Sequence, residues 1–190
     1  MEPLLGIPVG LALSTAAGLR VFVPLLITSV AARSGYITLA PGMTWLGSDA
    51  ALVAFATALV VEIGAYYVPW LDNALDTIAT PIATTAGIVA MAAVTPDLPP
   101  LLRWTLAIVA GGGAAGLAQV STSLLRVTST ALTAGAGNPV VATGELVGSV
   151  ILSLLGLLAP LLAAVAVIVL LAVLVHRVSR RRRRRRITPA

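Results

Sequence analysis

The residues with chemistry to offer in this sequence are charged side chains set inside apolar stretches. Arg20 lies midway through an apolar run from Pro3 to Ala32, and Glu62 lies inside another from Ala50 to Val68. Asp76 and Glu145 stand at the mouths of two further runs. Placing a charge at the centre of a bilayer costs at least ~2.5–3.5 kcal/mol. A chain that keeps several such charges must give each a counter-ion, a proton or a wet cavity, so these residues are the first candidates for function.

Glu62 shares a helical face with Ala51, Ala54, Ala58 and Ala65. A face of small residues packs against protein, which turns Glu62 inward and makes Arg20 its expected partner. The next segment carries Asn73, Thr77, Thr80 and Thr84 at helical spacing, with Asp72 and Asp76 one turn apart. Threonine can bond back to its own helix; a carboxylate cannot, so this face points to a hydrated site. A matching stripe comes next in Gln119, Thr122, Ser123, Arg126, Ser129 or Thr130, and Thr133. Asn138-Pro139 ahead of Glu145 reads as the start of a half-helix, where free backbone amides can receive a polar group.

The expected polar site is therefore Arg20, Glu62, Asp72, Asn73, Asp76, Thr80, Gln119, Arg126, Asn138 and Glu145. The two polar faces would line one pathway, with Arg20 and Glu62 gating or orienting and Asp76 or Glu145 carrying a proton. Enzymatic readings fare worse. His176, the single histidine, sits at the junction with a basic tail, and no metal-ligand spacing, phosphate-binding glycine loop or nucleophile elbow is present. Asp72 and Asp76 holding a divalent ion for work on a lipid phosphate is the minor catalytic alternative. No cofactor or resident metal is implied.

These side chains need elements to position them, and composition says which kind. Hydrophobic residues make up 58% of 190 residues and charged residues 10%, with a mean hydropathy of +1.03. Soluble domains are about 25% charged. The expected fold is all-α, a polytopic transmembrane bundle of six hydrophobic helices, or five, some broken or re-entrant.

The first run would be ~45 Å long as one helix, too long for an upright crossing. Gly18 and Pro24 bracket Arg20, so it should tilt or break near its middle. Residues 33–48 read as a loop with a short interfacial helix. Further helices are expected over Ala50–Val68, from Asp72 or Asn73 (the cap) to about Val94, and from Leu101 to about Ala134. The last stretch, Val140 to Val175, should divide near Gly156 and Pro160 into a short or re-entrant helix ending at Leu155 and a full span to His176. Residues 1–176 form the membrane domain. Echoes at an offset of 98, such as Ala16–Leu19 in Ala114–Leu117, suggest two related halves, 1–96 and 97–176.

The formal charge of +5 belongs to the tail, 177–190, where Arg180 through Arg186 are consecutive. The other arginines, Arg20, Arg33, Arg103 and Arg126, face seven acids, so the body carries −3. That balance favours cations or protons over anions. Arginine-rich flanks stay cytoplasmic, and an even helix count would put the N-terminus inside as well. Glu2-Pro3 in place of a basic leader region leads us to expect the first segment to be retained.

The tail is expected to touch anionic lipid headgroups at ~1 kcal/mol per arginine; without interleaved aromatics, nucleic acid is a poor fit. Cysteine is absent, so thiol chemistry is excluded. The exclusive use of arginine over lysine suggests a GC-rich bacterial genome and hence a plasma (inner) membrane. Gly6, Gly10, Ser14 and Gly18, with Gly112/Gly116 and Gly144/Gly148, form small-residue stripes that let backbones approach, within the chain or between copies in a homo-oligomer.

Three blocks carry a family resemblance: Gly18-Leu-Arg20 with Pro24-Leu-Leu, Pro69-Trp-Leu-Asp-Asn-Ala-Leu-Asp-Thr-Ile-Ala-Thr-Pro81, and Gly137-Asn-Pro-Val-Val-Ala-Thr143 with Glu145. From Leu4 to the arginine tail the chain resembles a bacterial membrane family, domain of unknown function 4126. The resemblance implies an integral inner-membrane protein and supplies no activity, substrate or cofactor. On the residues themselves, the leading expectation is a transporter or channel-like permease for a small polar solute or cation. The rival is a structural or partner-binding membrane scaffold.

Overall fold

The computed structural model describes residues 5–65 and 69–187, without the side chains of 69–77, 174–175, 177 and those beyond. Among the described residues the chain is all-helical. We number the helices α1 (Gly6–Leu19), α2 (Phe22–Arg33), α3 (Asp49–Ala65), α4 (Pro69–Ala93), α5 (Pro100–Thr133), α6 (Asn138–Leu158) and α7 (Pro160–Ile187). The 33–48 loop carries a single 3-10 turn, Thr44–Gly47.

Proline sets most of the starts. Pro69, Pro100 and Pro160 are the first residues of their helices and Pro139 is the second in α6, positions where a missing N–H costs nothing. Because α4 begins at Pro69, Asp72 and Asn73 lie within its first turns and do not cap it. The end of α5 is a left-handed cap, with Ala134 at φ 52° and Gly135 at φ 90°. Inside α5, Ala107–Gly112 is a π-helical stretch.

The count of seven, where the sequence suggested six or five, comes from the first run. It is broken at Arg20, whose backbone is extended (φ −146°, ψ 120°). With Pro24 in its first turn, α2 could not have continued α1 without losing a hydrogen bond. Two other helices act as rulers for the course of the chain beyond the break. Along α1, Ala12 meets Gly156 of α6, the Ala16 carbonyl accepts from Ser149, and Leu19 meets Gly148. Along α2 the order reverses: Leu26 to Ser34 line a cleft with Leu154, Leu157 and Leu158, and Tyr36 donates to the Leu157 carbonyl.

The same holds against α4, where Gly6, Gly10 and Ser14 meet Val94, Met91 and Gly87. Phe22 and Leu25 then return past Ile82 and Ala86, and Ala40 donates to the Ala93 carbonyl at 2.8 Å. The two helices thus form a hairpin with its tip at Arg20-Val21. A second tight reversal, at Ala159, folds α7 back against α1 and α6.

The bundle is organised around α1, which touches α2, α4, α5, α6 and α7. Its small-residue stripe is used within the chain. A Cβ on Gly10 would collide with Met91 and one on Gly18 with the Ala115 carbonyl, while Ser14 donates to the Gly87 carbonyl at 2.7 Å. The π-helical stretch brings Gly111 against α4, where an added Cβ would lie 2.8 Å from the Gly87 carbonyl oxygen.

Gly144, by contrast, faces open space. The sixth helix runs on to Leu158, past the expected end at Leu155, because Gly156 is not a break: it seats Ala12. Two helices, α5 and α6, are long and apolar enough to cross a membrane among the described residues; Gly6–Leu19, Phe22–Arg33, Ile78–Ala93 and Pro160–Val173 are shorter apolar segments.

Candidate functional site: a buried ionic cluster at the hairpin tip

The extended residue at the tip is also the most buried charge among the described residues. Arg20 is 2% exposed, held there because the reversal of α1 into α2 is enclosed by α3, α5 and α6. Its Nη2 donates to the Ala142 carbonyl at 2.6 Å and lies 3.3 Å from Glu145 Oε2. The same carboxylate takes a two-pronged contact from Arg126: Nε donates to Oε1 at 3.1 Å and Nη2 to Oε2. Glu145 is thus shared by two guanidinium groups, one from the hairpin tip and one from α5. All three side chains are buried.

Glu62 completes the group from a different direction. Its Oε1 accepts the Val21 N–H at 3.1 Å and its Oε2 the Phe22 N–H at 3.4 Å. A helix start leaves its first N–H groups without intrahelical acceptors and carries a partial positive charge. The carboxylate from α3 therefore caps α2 across space, where the sequence offers no capping side chain. Both Arg20 and Arg126 are near enough to act on this carboxylate electrostatically. Arg20, the expected partner, thus acts on Glu62 electrostatically while its Nη2 reaches Glu145, and Glu62 accepts from the amides beside it.

The rest of the expected site divides. Gln119 and Thr122 are buried on the Arg126 face of α5. Thr122 Oγ1 donates to the Gln119 carbonyl at 2.9 Å, and Gln119 Nε2 to Ser123 Oγ at 3.4 Å. Thr80 is half-buried on α4. Asn138 does not join the cluster: it exchanges hydrogen bonds with Thr130 at the end of the bundle, two helical turns or ~10 Å along α6 from Glu145. The side chains of Asp72, Asn73 and Asp76, and those of Arg180–Arg186, lie outside the described residues. No group of three or more metal-ligating side chains occurs among the described residues.

The face expected around Glu62 is also only partly packed. Ala51 and Ala65 are buried, but Ala54 is exposed and Ala58 half-buried. They border a cleft of about 510 Å³ between α3 and α4, whose other lining residues include Val21, Phe22, Glu62, Ile78 and Ile82. One wall of the ionic cluster is therefore reached through an apolar opening in the side of the bundle.

Sequence reasoning found all four charges and missed what they bind. The Ala142 carbonyl and the Val21 and Phe22 amides carry no side-chain signal; the one available cue was Pro24, which marks a helix start just after Arg20. A family model matches residues 7–180. The chain belongs to the DUF4126 family, a domain of unknown function. No curated protein and no solved structure matches it. In this DUF4126 chain the cluster joins charges from both ends of the matched region, since Arg20 and Glu145 meet across 125 positions.

Proposed function

We propose that this protein is a multi-pass membrane protein with a re-entrant N-terminal hairpin, and that it works as a permease for a small polar solute or cation. Large apolar side chains on the outside of the bundle support the membrane setting. Leu101, Val109, Leu132, Val140 and Leu161 are each at least 65% exposed, a surface that water penalises and lipid does not. At ~21 Å and ~18 Å, α1 and α2 are each too short for ~30 Å of hydrocarbon. They enter and leave on one side, and α3 to α7 supply five crossings.

The observation that carries the transport reading is the charged chain reversal buried inside the bundle, which this topology puts at membrane depth. Irregular backbone is tolerated there only when it is enclosed by protein or lines a water-filled cavity, and broken helices meeting at midplane polar groups are how many transporters build their sites. A carboxylate shared by two arginines is suited to exchange, because either guanidinium can be released while the other holds it. With the arginine tail cytoplasmic, turn 134–137 is cytoplasmic too. The N-terminal end of α1 then lies on the opposite face, which replaces the expectation of an internal N-terminus.

Proteoliposomes test this. Wild-type protein should pass protons or small cations in a dye-based flux assay, and Arg126→Gln and Glu62→Gln, verified as folded, should not. Absence of flux across a broad screen, with both variants complementing a deletion phenotype fully, would sink the proposal. The scaffold reading draws on one specific observation: Arg20, Arg126, Glu145 and Glu62 all have hydrogen-bond partners within the chain. It requires that the neutral variants lose stability and never alter flux.

A further inference from the structure

The side cleft assigns a class of solute to this site. We infer that the opening between α3 and α4 is a lateral port for a lipophilic organic cation, an ammonium on an apolar body, which enters from the lipid and docks its charged head on Glu62. The inference rests on the transport reading, since it names what the same site receives.

Three observations lead here. The first is the lining. Around about 510 Å³, among the described residues, the one ionisable side chain is Glu62 and the one other polar side chain is Thr57. The other described wall residues are Val21, Phe22, Ile78, Ala79, Ile82 and small or aliphatic residues of α3. A hydrated inorganic ion finds nothing there to replace its water, whereas an apolar body is accommodated along the whole wall. The second is the carboxylate. Glu62 is 8% exposed, and each oxygen accepts one backbone N–H. A carboxylate has about four lone-pair sites, so Glu62, which lines the cleft, keeps acceptor capacity for an ammonium N–H.

The third is how α3 is held. Among the described residues it packs on α2 more than on α4. At one end Ser48 caps it, its Oγ accepting the Ala51 N–H at 3.1 Å, and Asp49 pairs with Arg33 at the surface; at the other the Glu62 clasp ties it to α2. Between these ends Val53, Val60 and Val61 face outward. The cleft therefore opens along the flank of the bundle. A second cleft of about 360 Å³ shares Val21, Phe22 and Ile82 and continues past Leu25 to Trp45, giving room for the tail of a longer molecule. The sign of the charge is set by Glu62 and by the −3 of the body outside the tail.

The test is binding by purified full-length protein in maltoside micelles, by isothermal titration with 4-phenylbutylammonium and its anionic counterpart 4-phenylbutyrate. The cation should bind saturably at one site and the anion should not compete. Losing a hydrogen bond to a charged group weakens binding roughly ten- to hundredfold, the drop expected for Glu62→Gln. Because that variant also loses a clasp on α2, Ala58→Phe is the companion: it fills the cleft from a half-buried position and keeps Glu62. It should abolish binding with the melting profile unchanged.

Equal binding in both variants, or equal binding of phenylbutyrate, overturns the inference. So does absence of saturable cation binding while proteoliposomes still carry protons or inorganic cations, a result that leaves the transport reading standing. Saturable, Glu62-dependent binding without flux of any solute does the reverse: the port survives and the permease does not.

Discussion

Glu145 is the residue on which the cluster turns. It serves Arg126 through both oxygens and Arg20 through one, so neutralising it removes the carboxylate that the two buried guanidinium groups share. Removing one partner of a buried pair costs about 3–5 kcal/mol, because the stranded charge keeps its desolvation penalty. Glu145→Gln should therefore lose about that much stability, measured by chemical unfolding in micelles. Thr130→Ala, which removes an exposed hydrogen bond to Asn138, should lose under about 1 kcal/mol. Similar losses in the two variants would mean that the cluster is solvated and does not bind the helices together. The identity of these charges was legible in the sequence, since ionisable residues stand out against apolar runs. Their hydrogen-bond partners were not. Arg20 and Glu62 are electrostatic neighbours, as their apolar surroundings suggested, yet the turn after Arg20 also presents two backbone amides to Glu62, and the Arg20 Nη2 reaches α6.

At the scale of elements, glycine positions report which helix faces are in contact. Gly18 of α1 sits against the backbone of α5 and has no room for a methyl group, whereas Gly64 of α3 meets nothing within 4 Å. In an exposed helix, glycine is less favourable than alanine by ~0.5–1 kcal/mol. Gly64→Ala should then be neutral or stabilising and Gly18→Ala destabilising, by ~1–3 kcal/mol for an overpacked contact, with opposite shifts in melting temperature as the readout. A loss at Gly64 would place a further surface on α3. The small-residue stripe itself could be read from spacing, but its partner could not. Spacing of four says only that a backbone comes close, and here that backbone belongs to α4 and α5 of the same chain. The hairpin shows the same limit. Length and Gly18…Pro24 announced a break, while α1 is apolar all round and gives no face from which to read the direction of the second half.

For the molecule as a whole, the consequence of that reversal is topological. Contacts of Gly6 with Val94 and of Ala40 with Ala93 gather the start of α1, the 33–48 loop and the end of α4 at one end of the bundle. The turn after α5 lies at the other, where the Gly137 N–H donates to Thr133 Oγ1. A continuous first helix would instead have separated the start of the chain from the loop. The chain contains no cysteine, so single cysteines report sidedness without background. Leu5→Cys, Thr38→Cys and Asp97→Cys should all react with a membrane-impermeant maleimide from the same side, and Ala136→Cys from the opposite side, becoming reactive to that reagent only after permeabilisation. The decisive reporter is Leu5. If it labels with Ala136 and apart from Thr38, residues 6–33 cross the membrane once. The buried tip at Arg20 is then no re-entrant turn, and the transport reading loses the feature that carries it.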